Sequence, residues 1–248
     1  MKKTKIEWCD STINPVVGCT YGCQYCYARK MNQRFSWIDD FFKPQFFPER
    51  LKQLNQKKPQ VIFMNSMSDI ADWQEEWLEA TLDAIELNPQ HQYMFLTKRI
   101  HDISRSTSRS VERLKNIENV WLGITVTNNE DMANNSYEIY RLWSTKCKKF
   151  VSFEPLHEHI KSDFMWYLSV LDWFIIGAET GNRKEKIIPK YDWLKNILST
   201  AVSQDIPVFM KESLLPIIGE GNMLREFPKC FIAPQESAEG KENGKNRI

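Results

Sequence analysis

The sequence predicts an α/β protein whose sheet is a full or partial (β/α) barrel of about six to seven parallel strands. First, short apolar runs alternate with longer amphipathic stretches along the 248 residues. Second, most runs are apolar on consecutive positions, as strands are when a parallel sheet is buried on both faces. Third, barrels of about 200 to 250 residues commonly form one domain. Together these observations favour one barrel over a two-domain protein.

The strands are predicted from the apolar runs. The first strand is expected near residues 14–18, immediately before a group of cysteines. The later strands are expected at residues 61–66, 93–97, 120–126, 149–155, 172–179 and 207–211. Because strands alternate with helical patterns, neighbouring strands are predicted to run parallel.

The amphipathic stretches between the runs are predicted to be helices. In residues 73–87, the side chains of Trp73, Trp77, Leu82 and Ile85 lie near helical spacing. Further helices are expected at residues 110–115, 129–143, 163–170 and 191–204.

Residues 1–233 are predicted to form the barrel domain. Residues 36–58 are rich in aromatic side chains and punctuated by proline, so we interpret them as an insertion with its own short helix. The tail, residues 234–248, is poor in apolar side chains and is predicted to be disordered.

Charge and hydropathy limit the classes of function. The 33 basic and 32 acidic residues give a formal net charge of +1, which provides no global attraction to nucleic acid. No run of about 18 apolar residues occurs, so no membrane span is expected. The N-terminal lysines are not followed by an apolar segment, so no secretory signal is expected and a cytoplasmic location is predicted.

Three of the six cysteines, Cys19, Cys23 and Cys26, fall within eight positions with the spacing C-x3-C-x2-C. In a reducing compartment, clustered cysteines bind metal or carry out chemistry more often than they form disulfides. An iron–sulfur cluster usually takes four thiolates, so three would leave one iron open to a small molecule. A zinc site would need a fourth ligand from the isolated histidines, which are His101, His157 and His159.

The remaining cysteines, Cys9, Cys147 and Cys230, stand alone in the sequence. Each is predicted to be a small buried or half-buried residue.

The cysteine motif and its position resemble the radical SAM superfamily. C-x3-C-x2-C, with the aromatic Tyr25 before the last cysteine, follows the first predicted strand of a βα-repeat chain. The resemblance implies that Cys19, Cys23 and Cys26 hold a [4Fe–4S] cluster whose fourth iron binds the amino and carboxylate groups of S-adenosylmethionine. It also implies a flavodoxin- or ferredoxin-type electron donor, and reductive cleavage of S-adenosylmethionine to a 5′-deoxyadenosyl radical that takes hydrogen from the substrate.

A narrower resemblance covers nearly the whole chain up to Pro228. The segments IEWCDSTINPVVGC, NSMSD, FLTKR, SFEPL, IIGAETG, FMKE and REFP resemble a branch first noted among bacteriophage proteins. Within it, the small size and the lack of extra cysteines resemble the queuine lyases. This implies a small-molecule substrate, a 7-deazaguanine base, and hydrogen abstraction from its cyclopentene-diol part. Cleavage of a C–N bond would then release 7-aminomethyl-7-deazaguanine (preQ1) in queuosine salvage.

The resemblance assigns expected cofactor-binding residues. At the end of the second predicted barrel strand, Asn65, Ser66 and Asp69 are expected to accept hydrogen bonds from the ammonium group of S-adenosylmethionine. Tyr25 is expected to pack beside the cluster.

The ends of later strands supply further candidates, since functional residues of α/β barrels gather at the carboxyl ends of the strands. Thr125 and Thr127 are predicted to bond ribose hydroxyls or the cofactor carboxylate. Gly177 is expected to let the backbone approach the adenine, as the matching glycine does in the superfamily.

A 7-deazaguanine base has a guanidine-like edge, which a carboxylate recognises through paired, charge-assisted hydrogen bonds. Glu154 and Glu179 are therefore predicted to be catalytic or substrate-binding, together with Lys211. The flat base favours an aromatic floor. The further substrate-binding candidates are Trp8, Asp10, Tyr21, Lys98, Phe153 and His157.

Two other classes of function remain open at this point. A radical SAM enzyme acting on a nucleic acid or nucleotide would use a phosphate path, whose candidate cations are Lys98, Arg99, Arg105, Arg109 and Arg113. The other class is a non-enzymatic, zinc-stabilised binding module.

Overall fold

The computed structural model describes residues 4–181 and 183–231. The strands are β1 (Ser11–Thr12), β2 (Val16–Val17), β3 (Gln45–Phe46), β4 (Val61–Phe63), β5 (Gln92–Thr97), β6 (Val120–Thr125), β7 (Lys148–Phe153), β8 (Trp173–Ile176) and β9 (Val208–Met210). All except β2 and β3 form one seven-stranded sheet in the order β1-β4-β5-β6-β7-β8-β9. Every pairing in this sheet is parallel, and the sheet curls into a half-barrel. The predicted partial barrel and its strand number are confirmed.

Helices connect the strands. They are α1 (Tyr27–Phe35), α2 (Glu75–Glu86), α3 (Ile100–Ser104), α4 (Arg109–Lys115), α5 (Asn129–Tyr140), α6 (Tyr191–Ser203) and α7 (Leu215–Ile218). Short 3₁₀ helices cover Pro48–Leu54, Ile70–Asp72, Ser162–Val170, Glu212–Leu214, Glu220–Asn222 and Lys229–Phe231. Among the described residues, no helix combines the length and apolar character needed to cross a membrane.

The first barrel strand differs from its prediction. The chain pairs with β4 at Ser11–Thr12, before the expected 14–18. Pro15 has no N–H to donate to a sheet ladder, so the chain leaves the sheet there. The following residues Val16–Val17 pair antiparallel with Gln45–Phe46 in a separate two-stranded ribbon.

Two further segments can be compared with the elements predicted for them. Residues 163–170, predicted as a helix, form the 3₁₀ helix Ser162–Val170 rather than an α-helix. This segment contains aromatic residues with modest α-helix propensity, and Trp166 packs against Tyr167 with ring centroids 3.8 Å apart. The predicted insertion, residues 36–58, contains β3 and the short 3₁₀ helix Pro48–Leu54. The tail predicted to be disordered, residues 234–248, lies outside the described residues.

An aromatic layer fills the concave side of the half-barrel. Each strand from β4 to β9 contributes one or two buried side chains, and Trp8 adds another from the segment before β1. The strand residues are Val61, Phe63, Met94, Trp121, Phe150, Trp173, Ile175 and Phe209. A Cβ at Gly123 would lie 2.4 Å from ring carbons of Phe150, so glycine is what makes room for that ring.

A larger apolar core lies between the sheet and the helices. It includes Val151 and Phe153 of β7, which alternate with Phe150 and Ser152 along the same strand. Since adjacent strand residues face opposite sides, this alternation decides which residues point into the barrel and which point toward the helices.

Candidate functional site

A cavity of about 520 Å³ opens above the aromatic layer, at the carboxyl ends of the parallel strands. Its size falls in the range of about 300–1,000 Å³ typical of ligand sites. Ser152 and Glu154, two and four residues after the layer residue Phe150, both line it. Strand alternation thus directs the polar residues that follow the layer into the cavity.

The cavity brings together most of the predicted site residues. Those that line it are Trp8, Cys19, Tyr21, Cys23, Tyr25, Cys26, Asn65, Ser66, Asp69, Lys98, Thr125, Glu154, Glu179 and Lys211. Those that do not are Asp10, Thr127, Phe153, His157 and Gly177.

The cysteine loop enters the cavity through a tight path that requires glycine. Gly18 has φ +114°, and a Cβ there would lie 2.7 Å from Cα of Pro44. Gly22 also has a positive φ, +77°. Cys26 then forms the N-cap of α1, so the loop ends where the helix begins.

Backbone amides already point at two of the cysteine sulfurs. The N–H of Tyr21 donates to Sγ of Cys19 at 3.5 Å, and the N–H of Arg29 donates to Sγ of Cys26 at 3.4 Å. Burial raises the pKa of Cys19 to about 12 and also raises the pKa of Cys23. A metal bound by these thiols would therefore have to displace protons.

The carboxylate of Asp72 fixes the cysteine loop to the barrel, a role that the sequence did not reveal. It accepts hydrogen bonds from the N–H of Thr20 at 2.9 Å and from the Thr20 hydroxyl at 2.7 Å. Nη2 of Arg99 lies 2.6 Å from the same carboxylate. Thr20 is the neighbour of Cys19, which also donates its N–H to the carbonyl of Phe41 at 2.8 Å, so the bonds to Asp72 contribute to holding the first cysteine in place.

The polar groups of Asn65 and Asp69 are occupied by the protein itself. The Asn65 amide exchanges two hydrogen bonds with the backbone of Leu96, at 2.9 and 2.7 Å. Asp69 accepts from the Thr97 hydroxyl at 2.6 Å and from the Lys98 N–H at 3.0 Å. Burial nevertheless raises the pKa of Asp69. Both residues therefore join the ends of β4 and β5.

Ser66, beside Asn65, is also held by the protein. Its hydroxyl donates to Oδ1 of Asn14 at 3.0 Å, and its carbonyl accepts from the hydroxyl of Tyr27 at 2.6 Å. All three residues expected to accept hydrogen bonds from the cofactor ammonium, Asn65, Ser66 and Asp69, thus already have partners within the protein.

Two hydroxyl groups that line the cavity, those of Thr125 and Ser152, are available for hydrogen bonds to a ligand. The side chains of Thr125 and Ser152 line the cavity, and neither hydroxyl bonds to any residue that the structure describes. Ser152 was missed in the sequence, although it lies two positions before Glu154 on the same strand face. By contrast, the hydroxyl of Thr127 donates to Asp131 at 2.6 Å, outside the cavity.

Glu154 and Lys211 form an ion pair inside the cavity. Glu154 follows β7 and Lys211 follows β9, with Gly177 after β8 between them. A Cβ at Gly177 would lie 3.1 Å from Cδ of Lys211 and 3.3 Å from Cγ of Glu154. Gly177 does not itself line the cavity but leaves space for the two side chains to meet.

The second predicted carboxylate, Glu179, is fully engaged. Its two oxygens accept from Nε and Nη2 of Arg183 at 2.6 and 2.7 Å, and Nε2 of His157 lies 3.3 Å from one of them. The hydrogen bonds from Arg183 lower the pKa of Glu179. The His157 ring also packs edge-on against the Tyr25 ring, with centroids 5.2 Å apart. His157 therefore supports two residues that line the cavity, Tyr25 and Glu179, without lining it itself.

Two substrate-binding candidates lie elsewhere for clear physical reasons. Phe153 is fully buried on the helix side of β7 and packs against Phe174, with ring centroids 5.8 Å apart. Asp10 accepts from the N–H of Val61 at 2.8 Å and so begins the β1–β4 pairing. The aromatic candidates that do reach the cavity are Trp8 and Tyr21.

Lys98 lies at the side of the cavity near the cysteine loop. Its Nζ is 5.6 Å from the centroid of the Tyr25 ring and 5.7 Å from that of Tyr21. Its Nζ also lies 3.9 Å from Oδ2 of Asp131. A cation is thus held over two aromatic faces beside the cysteines.

The cations expected to form a phosphate path are partly neutralised. Arg113 pairs with Glu79, Asp83 and Glu86 at 2.7–2.8 Å. Arg105 pairs with Glu138, whose pKa is lowered by that contact. These contacts favour structural roles for both arginines over phosphate binding.

The chain has recognisable relatives. The profile of a family described as protein of unknown function (DUF5131) matches residues 3–214. The uncharacterized protein MJ0683 of Methanocaldococcus jannaschii is 28% identical over 160 residues, which are 63% of this chain and 58% of that protein. The fold resembles the crystal structure of Streptococcus suis SuiB bound to S-adenosylmethionine, with a TM-score of 0.51 and 9% identity. That match covers 81% of this chain and 46% of SuiB, so this chain spans less than two thirds of either relative.

Proposed function

We propose that this chain, a member of the DUF5131 family of proteins of unknown function, is a radical SAM enzyme that acts on a 7-deazaguanine base. One observation carries the proposal. Three cysteines of a single loop line the same cavity as the polar strand ends of a parallel half-barrel. The likeness to a fold that binds S-adenosylmethionine in SuiB supports the choice of cofactor.

The cysteine loop fits a cluster better than a single ion. A single zinc ion would need a fourth protein ligand beside the three cysteines, and His157, the histidine nearest the loop, instead lies 3.3 Å from Glu179 and packs edge-on against Tyr25. A [4Fe–4S] cluster is wider and separates its thiolates. Backbone N–H groups already directed at two sulfurs are the kind of contact that tunes such clusters. Cys19, Cys23 and Cys26 are therefore the proposed ligands.

When bound, the cluster would supply the electron that cleaves S-adenosylmethionine to a 5′-deoxyadenosyl radical. The chain's own residues bind and orient the ligands and exclude water. Thr125 and Ser152 have hydroxyls available for the cofactor. The buried aromatic layer, including Trp8 and Phe150, closes the cavity from below and presents an apolar floor to a bound ligand.

A queuine lyase reaction is the specific activity that we propose. A cavity of about 520 Å³ admits ligands of the size of a nucleoside or a modified base. Its carboxylate and ammonium groups, Glu154 and Lys211, suit a base with both hydrogen-bond donors and acceptors. After hydrogen abstraction, cleavage of the C–N bond would release preQ1 as the amine and leave the radical on the five-carbon ring, which would take one electron from the electron donor and one proton from solvent.

The proposed reaction needs an electron donor, and we propose a flavodoxin- or ferredoxin-type protein whose acidic surface would complement basic residues near the cysteine loop. Helix α1 directly follows the last cysteine, Cys26, and contains Arg29, Lys30 and Arg34 but no acidic residue. Lys30 and Arg34 are exposed. An acidic redox protein would be attracted to this surface.

The test is anaerobic reconstitution with iron and sulfide, followed by incubation with S-adenosylmethionine, dithionite and queuine. We expect 5′-deoxyadenosine and preQ1 to appear together by mass spectrometry; without queuine, no preQ1 should form and 5′-deoxyadenosine should form more slowly. Replacing Cys19, Cys23 and Cys26 by alanine should abolish both products. The matched control is Cys147→Ala, since Cys147 is buried among apolar side chains away from the cavity. Formation of 5′-deoxyadenosine without preQ1 would refute the lyase assignment and keep the radical chemistry.

A further inference from the structure

We infer that the Glu154–Lys211 pair recognises the 2-amino-6-oxo edge of a guanine-type base. Such an edge presents one carbonyl acceptor followed by two N–H donors. The inference rests on the proposed function for the reaction that follows binding. Its recognition chemistry comes from the pair alone.

The pair is held across three neighbouring strands. Glu154 and Lys211 project from the ends of β7 and β9, and the end of β8 between them is Gly177. A Cβ at position 177 would lie 3.1 Å from Cδ of Lys211 and 3.3 Å from Cγ of Glu154, so a larger residue there would require these side chains to shift by a few tenths of an ångström. The side chains are 25% and 15% exposed, so both are largely shielded from water while facing the cavity.

Each member of the pair keeps hydrogen-bonding capacity toward the cavity. Oε1 of Glu154 accepts from Lys211, and no hydrogen bond within the described part of the chain uses Oε2. An ammonium group has three donors, of which Lys211 uses one on Glu154. From lysine to glutamate, the pair therefore offers a donor and then two acceptors.

That order is complementary to a guanine-type edge. Lys211 would donate to the 6-oxo group while the Glu154 carboxylate accepts from the ring N–H and the 2-amino group. An adenine-type edge would instead set an amino group against the ammonium and a ring nitrogen against the carboxylate. Both mismatches leave shielded polar groups unpaired, which is the strongest source of discrimination between bases.

The other carboxylates that line the cavity are already occupied. Asp69 uses both oxygens on the ends of β4 and β5. Glu179 uses both oxygens on Arg183. Among the cavity carboxylates of the described residues, Glu154 is thus the one with an oxygen left for a ligand.

Binding of three bases to the reconstituted protein tests the inference by isothermal titration calorimetry. The bases are 7-deazaguanine, 7-deazahypoxanthine, which lacks the 2-amino group, and 7-deazaadenine, which has a 6-amino group. We expect 7-deazahypoxanthine to bind about 10- to 100-fold more weakly than 7-deazaguanine, and 7-deazaadenine more weakly still. Equal affinity for all three would overturn the inference.

Three variants locate the recognition in the pair. Glu154→Gln should weaken binding of 7-deazaguanine and reduce its preference over 7-deazahypoxanthine to about threefold or less, since an amide has one acceptor oxygen. Lys211→Met should remove the preference for a 6-oxo group. Gly177→Ala keeps both charges but displaces them, so about tenfold weaker binding is expected. Its control is Gly221→Ala, because a Cβ there meets no atom within 4 Å.

The outcomes separate this inference from the proposed function. If the base preference and the variant effects appear but no 5′-deoxyadenosine forms with queuine, the recognition pair stands and the enzymatic proposal falls. If 5′-deoxyadenosine forms while Glu154→Gln binds the three bases as the unmodified protein does, the recognition inference falls and the radical chemistry stands.

Discussion

Replacing Asp72 tests how the cysteine loop is held against the barrel. Its carboxylate takes two hydrogen bonds from Thr20 and one ion-pair contact from Arg99, at 2.6–2.9 Å. Only 7% of the Asp72 side chain and 24% of the Arg99 side chain are exposed. Asp72→Asn keeps the shape, but it removes the charge and turns one acceptor into a donor.

The expected loss in the free energy of unfolding is about 2–3 kcal/mol. Hydrogen bonds to a charged group contribute about 1.5–3 kcal/mol each, and breaking a buried pair costs about 3–5 kcal/mol. The lower part of this range applies, because asparagine keeps one acceptor and Arg99 retains some contact with water. Since Thr20 adjoins Cys19, the iron content after reconstitution should fall as well.

The effect should depend on pH in a defined direction. Burial alone would raise the pKa of Asp72, but the hydrogen bonds from Thr20 and the adjacent Arg99 guanidinium outweigh it and lower the pKa below its ordinary 3.8. A depressed carboxyl pKa stabilises the fold above the ordinary value, and this stabilisation is lost as the pH falls through the lowered one. The difference between Asp72→Asn and the unmodified protein should therefore be constant near neutral pH and shrink below about pH 4.

Urea unfolding at pH 7 and at acidic pH, with iron analysis, measures these effects. The matched control is Asp83→Asn, the same substitution at a carboxylate that is 66% exposed and 2.7 Å from Arg113. Its effect should stay within about 0.5 kcal/mol. If Asp72→Asn were as stable as this control at pH 7 and took up as much iron as the unmodified protein, the anchoring role would be refuted.

Three further predictions concern the barrel interior, the cofactor and the donor. Gly123→Ala should destabilise the fold by about 1–3 kcal/mol in thermal unfolding, because its Cβ would overlap the Phe150 ring; an unchanged Tm would contradict that packing. Thr125→Val should weaken S-adenosylmethionine binding about 3- to 10-fold in calorimetry without altering unfolding, and an equal Kd would remove this hydroxyl from the cofactor site. Lys30→Glu combined with Arg34→Glu should raise the KM for an acidic flavodoxin and leave dithionite-driven turnover unchanged; no change in KM would place the donor elsewhere.

Much of the fold could be predicted because the apolar runs are short, regularly spaced and separated by amphipathic stretches. Those runs also located the carboxyl ends of the strands, where Glu154 and Lys211 indeed lie together in the cavity. The missed detail in β1 comes from Pro15, which ends the pairing before the run of valines expected to form the strand.

The phase of each strand could not be predicted. Residues 150–153 are buried at every position because both faces of the sheet are covered, so no polar alternation marks the inner face. Phe153 and Glu154 were therefore both candidates, although neighbouring residues on a strand point in opposite directions. The structure directs Glu154 into the cavity and Phe153 toward the helices.

Contacts between distant segments were likewise outside the reach of sequence reasoning. Asp72 lies 52 residues from Thr20, and only the folded chain brings them together. Arg183 was also missed, although it lies four positions after Glu179 and engages both of its oxygens. That pairing changes the interpretation of Glu179 from a base-reading carboxylate to a fixed part of the cavity wall.

We propose that Cys19, Cys23 and Cys26 hold a redox cluster that cleaves S-adenosylmethionine. The most direct measurement is the iron content and the dithionite-dependent formation of 5′-deoxyadenosine by anaerobically reconstituted protein. We expect about four irons per chain and product formation, both lost when the three cysteines are replaced by alanine and both retained in Cys147→Ala. A colourless protein that binds one zinc and forms no 5′-deoxyadenosine would contradict a redox cluster at these cysteines and favour a zinc-stabilised binding module.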